Sequence, residues 1–307
     1  MKKELKTYCV LLIFFLIVIS FYIEKNKNKK NKKLSVCLCV IGKNENLYAK
    51  EYVNHYKKLG YNHIFICDNN DKNESSERFS NILNEEIQKG FVSIIDFFVF
   101  RGKSNNSQYE SYYDCYEKNN MKYDWLSFFD FDEFLELKPQ NQSIQQFLSQ
   151  ERYKKCHNIK INWLHYESEK EELHYENKSL FTRFKKPMYN YFRNRLIKST
   201  IRGKLSNYWR GWHSPHSSYN RYTACSSSGN FVDTIESYIE PPDHRYAILR
   251  HYFKKSFEEF CKKLKRGWPE HSDQVKAIID LINENKNDEA KFNIIKKFFN
   301  IKNYGFL

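Results

Sequence analysis

From residue 34 onward the apolar positions fall into short continuous runs that alternate with stretches of helical spacing. Residues 34–41 form an apolar run of strand length. Across 44–59, Tyr48, Tyr52, Val53, Tyr56 and Leu59 recur every three or four residues, which predicts an amphipathic helix stopped by Gly60. Residues 63–67 predict a second buried strand, and Phe79, Ile82, Leu83 and Ile87 a second helix closed at Lys89-Gly90. A third strand over 91–98, a third helix over 108–117 and a fourth strand over 123–129 follow. Strand–helix alternation repeated three times predicts an α/β fold with a mostly parallel central sheet and right-handed crossovers. Further on, 144–148 reads as a short helix and 159–164 as a strand, while the polar, aromatic stretch 166–238 shows no clear period. Residues 256–266 predict a helix with Ser256 as N-cap, Glu259 three positions on and Gly267 as its stop. One more amphipathic helix is expected over 275–282.

The first 33 residues are of a different kind. Thr7 to Ile23 is an uncharged run of 17 residues, which at about 1.5 Å rise per residue just reaches across a thin bilayer. The residues after it are Glu24-Lys25-Asn26-Lys27 and offer no small-residue cleavage site, so an uncleaved single-pass anchor is expected. The chain then divides into an anchor and basic stem (1–33), a folded body (34–268) and a helical tail (269–307). The net charge is +14, and residues 1–33 contribute half of it, with nine lysines against two acidic residues. Half of the excess is therefore juxtamembrane, suited to anionic headgroups, and nucleic acid is not an expected partner. More lysines follow the anchor than precede it, which by the positive-inside rule places the body in the cytosol. A secretory-pathway enzyme needs the opposite orientation. The eight cysteines form no metal-binding pattern and are expected to be buried thiols.

Candidate chemistry concentrates in residues 125–134, Trp-Leu-Ser-Phe-Phe-Asp-Phe-Asp-Glu-Phe. Side chains alternate along a strand, so Asp130 and Asp132 are expected on one face with room for Mn²⁺ or Mg²⁺ between them. Four phenylalanines around the pair argue for a buried setting over a solvated turn. An EF-hand loop is excluded because the required glycine is missing and the ligand series stops at Glu133. Polar clusters also follow the first and second strands, at Gly42-Lys43-Asn44-Glu45 and Asp68-Asn69. Open α/β sheets bind ligands beyond the carboxyl ends of their strands, where all three clusters fall.

These segments carry a resemblance. Residues 39–45 (Cys-Val-Ile-Gly-Lys-Asn-Glu), 52–60, 66–70 (Ile-Cys-Asp-Asn-Asn), 125–134, 162–166 (Asn-Trp-Leu-His-Tyr), 197–199 and 251–260, with Arg266-Gly267, resemble in order the GT-A glycosyltransferases of the family 2-like and family 92-like group. The resemblance implies a GT-A, Rossmann-like nucleotide-diphospho-sugar transferase fold. It also implies metal-dependent transfer from a nucleoside-diphosphate sugar, such as a UDP-sugar, to a hydroxyl of a glycan or glycoconjugate. In a eukaryote it implies a Golgi or other endomembrane location, with residues 7–23 in the membrane. Asp132 would be the direct metal ligand, and Asp130 would bind the metal through water or contact the ribose. A late histidine, His213, His216 or His251, would complete the metal shell. Asp68 would accept from the nucleobase, with Asn44 and Glu45 lining the same pocket and Gln108 near the donor. Arg183 and Lys198 would neutralise phosphate, and Glu167, by position alone, is the candidate base. Two departures stand out: Tyr166-Glu167-Ser168 replaces a glycine usual in the group, and the loops over 169–246 match no acceptor pattern. A nucleotidyltransferase would need a glycine-rich loop where only Gly42 stands. A tethered carbohydrate-binding protein without catalysis would use its many Tyr and Trp residues for sugar stacking.

Overall fold

The computed structural model describes residues 33–70, 78–96, 107–167, 178–189, 191–208, 215–216 and 221–265, with Glu284, Asn287 and Ala290. The chain divides into Met1–Leu34 and Ser35–Leu307. The expected anchor over 7–23 and the helix over 275–282 lie outside the described residues, as does His213. Among the described residues no helix is long and apolar enough to cross a membrane.

The body begins with β1 (Val36–Gly42), α1 (Ala49–Lys58), β2 (His63–Asp68) and two short helices, α2 (Phe79–Ile82) and α3 (Asn84–Gln88). Next come β3 (Val92–Asp96), α4 (Ser107–Asn119), β4 (Trp125–Phe128), β5 (Glu133–Leu137) and α5 (Ile144–Leu148). The second half contains β6 (Asn158–Glu167), α6 (Leu180–Arg183), β7 (Lys186–Met188), α7 (Tyr191–Asn194) and β8 (Ile197–Arg202). It closes with β9 (Ala224–Cys225), β10 (Phe231–Val232), β11 (Ala247–His251) and α8 (Phe257–Lys265). Ser143 caps α5 in a capping box with Gln146, and Ser256 and Glu259 form the box expected at α8.

The strands join in the order β10-β9-β6-β8-β4-β1-β2-β3; off this path β7 and β11 pair with β6, and β5 pairs with β11. The first half is parallel: β1 pairs with β2 and β4, and β2 with β3. The expectation of a mostly parallel sheet fails beyond β4, because β8 runs antiparallel to both β4 and β6. The fold is a mixed α/β one. Beyond β4 both senses occur, since β6 runs parallel to β9 and β11 and antiparallel to β7 and β8.

Helix α4 packs on β1 and β4, where Tyr112, Cys115 and Tyr116 meet Cys37, Cys39, Leu126 and Phe128. On the other side α1 supplies Tyr52 and Tyr56, which pack against Phe131, Phe134 and Phe129. Two disulfides correct the expectation of thiols throughout. Cys39 of β1 is bonded to Cys115 of α4, and Cys156 to Cys225 of β9, while Cys37 and Cys67 remain buried thiols. Alternation does keep Cys37 and Cys39 on one face. It is α4 that brings a distant partner to Cys39, with Cα atoms 6.2 Å apart.

Candidate active site

The chain leaves β4 at Phe128 and turns through Phe131 and Asp132 into β5, with Glu133 N–H donating to the Asp130 carbonyl at 3.1 Å. Strand alternation therefore does not govern the acidic pair, and the two carboxylates face different partners. Phe131 between them is the pin: its ring stacks on Phe79 at 5.0 Å and packs on Tyr52 at 4.7 Å. The rings lie so close over Gly42 that a Cβ there would sit 2.6 Å from atoms of both Phe131 and Phe79. Phe128, Phe129, Phe131 and Phe134 are all buried, as their density in the sequence suggested.

Asp130 faces α4 and β8. Its Oδ1 accepts from Gln108 Nε2 at 2.5 Å and Tyr112 Oη at 2.7 Å, and its Oδ2 from Lys198 Nζ at 2.7 Å. Its own N–H donates to Glu133 Oε2 at 2.8 Å. The Lys198 ammonium also lies 3.8 Å from Glu133 Oε1. Burial would lower the lysine's pKa, but the Asp130 and Glu133 carboxylates outweigh it and hold the group charged.

Asp132 faces β11 and α8. Its Oδ1 lies 3.6 Å from His251 Nε2, and its Oδ2 accepts from Lys263 Nζ at 2.6 Å. Burial would raise its pKa, yet the charges of Lys263, His251 and Lys255 hold it well below the usual carboxylate range. Glu133 goes the other way, pushed well up by burial. His251 is lowered to about 4, again by burial first. Asp132, Glu133 and His251, all buried, each offer one ligand atom, and these atoms lie within 4.8 Å of one another. Asp130 is not part of this group.

Sheet register extends the group sideways. Glu133 of β5 pairs with His251 of β11, which pairs with His165 of β6, so three buried polar side chains share one rung across three strands. Glu133 Oε1, His251 Nδ1 and His165 Nε2 are buried without hydrogen-bond partners. The His165 and His251 ring centroids are 4.7 Å apart, and Trp163 lies 4.3 Å from His251. Burial, then the neighbouring His251, holds His165 well below the ordinary histidine range.

A second polar group closes the ends of β1 and β2. Asp68 is buried and raised by that burial, and its Oδ1 accepts from Asn70 N–H at 3.0 Å, with Arg78 at 3.8 Å from Oδ2. Asn70 Oδ1 accepts from Asn44 N–H at 2.7 Å, and its amide donates to Asn46 at 3.0 Å. Asn44 has φ +56°, the left-handed conformation asparagine tolerates well. Strand β1 lies between β2 and β4, so this group stands about two strand spacings, roughly 10 Å, from the acidic turn.

Other expected residues are placed elsewhere. Glu45 is buried against Lys255 Nζ at 2.7 Å. Arg183 has a buried guanidinium, which donates to Glu259 at 2.9 Å and to Tyr48 Oη at 2.8 Å. His216 is buried, and that burial, then Lys198, keeps it well below the usual histidine range; it does not belong to the Asp132 group. Glu167 ends β6 opposite Lys186, two positions beyond His165. Sequence reading singled out neither Glu133 as a ligand nor His165, Lys255 or Lys263. Glu133 could have been flagged by its place in the acidic run. The others are recruited by register and by α8.

The frame is therefore a mixed α/β sheet carrying an acidic, imidazole-containing site at the carboxyl end of its parallel strands, where open α/β sheets bind ligands. Residues 32–285 match glycosyltransferase family 92, and the chain belongs to that family. A glycosyltransferase family 92 protein of rice (Oryza sativa subsp. japonica) is 26% identical over 123 residues, covering 40% of this chain and 20% of that protein. The match thus spans about a fifth of the rice protein's length. Among solved structures, S. aureus TarS 1–349 is similar with a TM-score of 0.39 and 11% identity, covering 87% of this chain and 71% of that one. A longer S. aureus TarS structure gives 0.35 and 10%, covering 87% and 43%.

Proposed function

We propose that this chain is a membrane-tethered GT-A glycosyltransferase. It moves a sugar from a nucleoside-diphosphate sugar, first of all a UDP-sugar, to a hydroxyl of a glycan or glycoconjugate. The observation that carries this reading is the buried Asp132–Glu133–His251 group at the carboxyl end of the parallel strands, in a chain of family 92. Two carboxylates and an imidazole suit Mn²⁺ or Mg²⁺, and Glu133 Oε1, 3.8 Å from the Lys198 ammonium, is a buried oxygen without a hydrogen-bond partner. When bound, the cation supplies Lewis-acid neutralisation of the departing nucleoside diphosphate.

Asp132, Glu133 and His251 hold the ion. Lys198 fixes Asp130 and keeps positive charge beside the site. Asp68, framed by Asn44 and Asn70, receives the nucleobase. In the transfer the anomeric carbon's bond to the diphosphate oxygen breaks and a bond to the acceptor oxygen forms. The acceptor proton passes to a carboxylate, for which Glu167 is our candidate. Residues 7–23 provide the tether. Disulfides persist in oxidising compartments, so the Cys39–Cys115 and Cys156–Cys225 bridges support a lumenal or extracellular body, against the lysine-based expectation.

The test is nucleotide release by the purified chain across a panel of nucleotide sugars, with Mn²⁺ and with chelator. Release is expected with Mn²⁺ only, and Asp132→Ala should reduce it by about a thousandfold or more. Full turnover by Asp132→Ala would remove the metal role. Donor binding without turnover would favour a non-catalytic carbohydrate-binding protein.

A further inference from the structure

The Asp132 carboxylate already holds a cation, the ammonium of Lys263 on α8. That ammonium lies 3.4 Å from the Phe253 carbonyl and 4.2 Å above the Phe253 ring, and its side chain keeps 16% of its surface exposed to solvent. The other Asp132 oxygen faces His251. A divalent ion bound by Asp132, Glu133 and His251 would compete with the lysine for the same carboxylate, and two positive charges at that distance exclude each other.

The way α8 is fastened decides what the lysine can do next. Its first turn is pinned: Glu259 closes the capping box with Ser256 and pairs with buried Arg183 at 2.9 Å and with Tyr48. Just before the helix, Lys255 pairs with Glu45 at 2.7 Å. Lys263 stands six residues beyond the start of α8, about 9 Å along its axis. From there a four-carbon stem can carry its ammonium several ångströms with the backbone fixed. Lys198 is differently placed, buried between Asp130 and Glu133, and has no comparable freedom.

We propose that Lys263 is an exchangeable counter-ion. It neutralises Asp132 in the empty site and moves to the diphosphate of the donor once a divalent cation takes Asp132. The inference rests on the cation-site reading above and adds a donor-binding residue on α8. It also couples the two ligands: the cation alone must displace the ammonium, whereas cation and diphosphate together give the ammonium a new partner. Binding of each therefore favours the other.

The experiment measures Mn²⁺ binding to the purified full chain without nucleotide, and UDP binding at saturating Mn²⁺, by calorimetry. Lys263→Met should bind Mn²⁺ alone about tenfold more tightly and bind UDP with Mn²⁺ about tenfold more weakly, the loss of one charge-assisted contact in each state. Opposite signs are the signature, since a merely structural lysine would move both affinities together or neither. Unchanged Mn²⁺ affinity in Lys263→Met overturns the exchange. Asp132→Asn separates the failures: if it leaves Mn²⁺ affinity unaltered, the cation site itself falls. Loss of Mn²⁺ in Asp132→Asn without gain in Lys263→Met overturns the exchange alone. Lys263→Arg keeps the charge and should retain wild-type values; if it behaves as the Met variant, charge is not the cause. Should Lys263→Met fail to fold by circular dichroism, Lys263→Gln is read by the same criteria.

Discussion

Replacing Gly42 by alanine asks whether ring packing holds the acidic turn in place. The added methyl would lie 2.6 Å from Phe131 Cε2 and from Phe79 Cζ. Carbon contacts settle at about 3.5–4.0 Å, so roughly 1 Å of space must be found. Neither ring can retreat alone, because they stack within 4° of parallel and Phe131 also packs on Tyr52, all three being buried. Overpacking of this kind costs about 1–3 kcal/mol. For a body of this size each kcal/mol lowers the melting temperature by about 2–4 °C, so Gly42→Ala should melt roughly 2–12 °C below wild type. The assay is thermal unfolding of wild type, Gly42→Ala, Phe131→Leu and the double variant. Phe131→Leu opens space that the new methyl fills, so the double variant should be more stable than the sum of the single effects by about 1 kcal/mol or more. Strict additivity, or a Gly42→Ala protein that melts with wild type, refutes the packing argument.

Arg183→Met leaves Glu259 buried without its guanidinium and should cost about 3–5 kcal/mol in urea unfolding, part of it recovered by adding Glu259→Gln. A loss below about 1 kcal/mol counts against the pair as a tie for α8. His55 donates to the Leu135 carbonyl and its pKa is lowered to about 4, by burial first. The unfolded chain, with a histidine near pH 6.5, therefore binds the extra proton first, and stability present above that pH is lost as pH falls toward 4. The loss is at most about 3 kcal/mol and is reduced by the ring's partial exposure. His55→Gln should flatten the pH dependence of the urea midpoint over that window, and an unchanged slope would show that other groups set it.

The parallel half of the fold was open to reading because its strands are nearly all apolar. Strand β1 is buried along almost its whole length, and α1 shows its buried stripe at Tyr52, Val53 and Tyr56. A polar cap marked α8 as well, at Ser256 with Glu259. Strand β8 stayed hidden because its interior is polar: Lys198, Ser199 and Thr200 are buried, Lys198 on Asp130 and Thr200 hydrogen-bonded to Ser127 at 2.8 Å. Hydrophobic periodicity cannot see a strand of that kind. Strand β6 conceals Lys160 likewise, its ammonium satisfied by the carbonyls of Asp233 and Glu236 at 2.7 and 2.6 Å. At the site, the acidic run announced itself, but which carboxylate joins His251 depends on the turn at Phe131. The buried Arg183–Glu259 ion pair left no mark in local sequence.

Glu133, His251 and His165 ride on three hydrogen-bonded strands, not on loops. Their mutual spacing is that of the sheet, about 4.8 Å per step, and is fixed before anything binds. Such pre-organisation removes most of the ordering cost of gathering them around a guest. It also means that the segments joining these strands can change in sequence while the rung keeps its geometry.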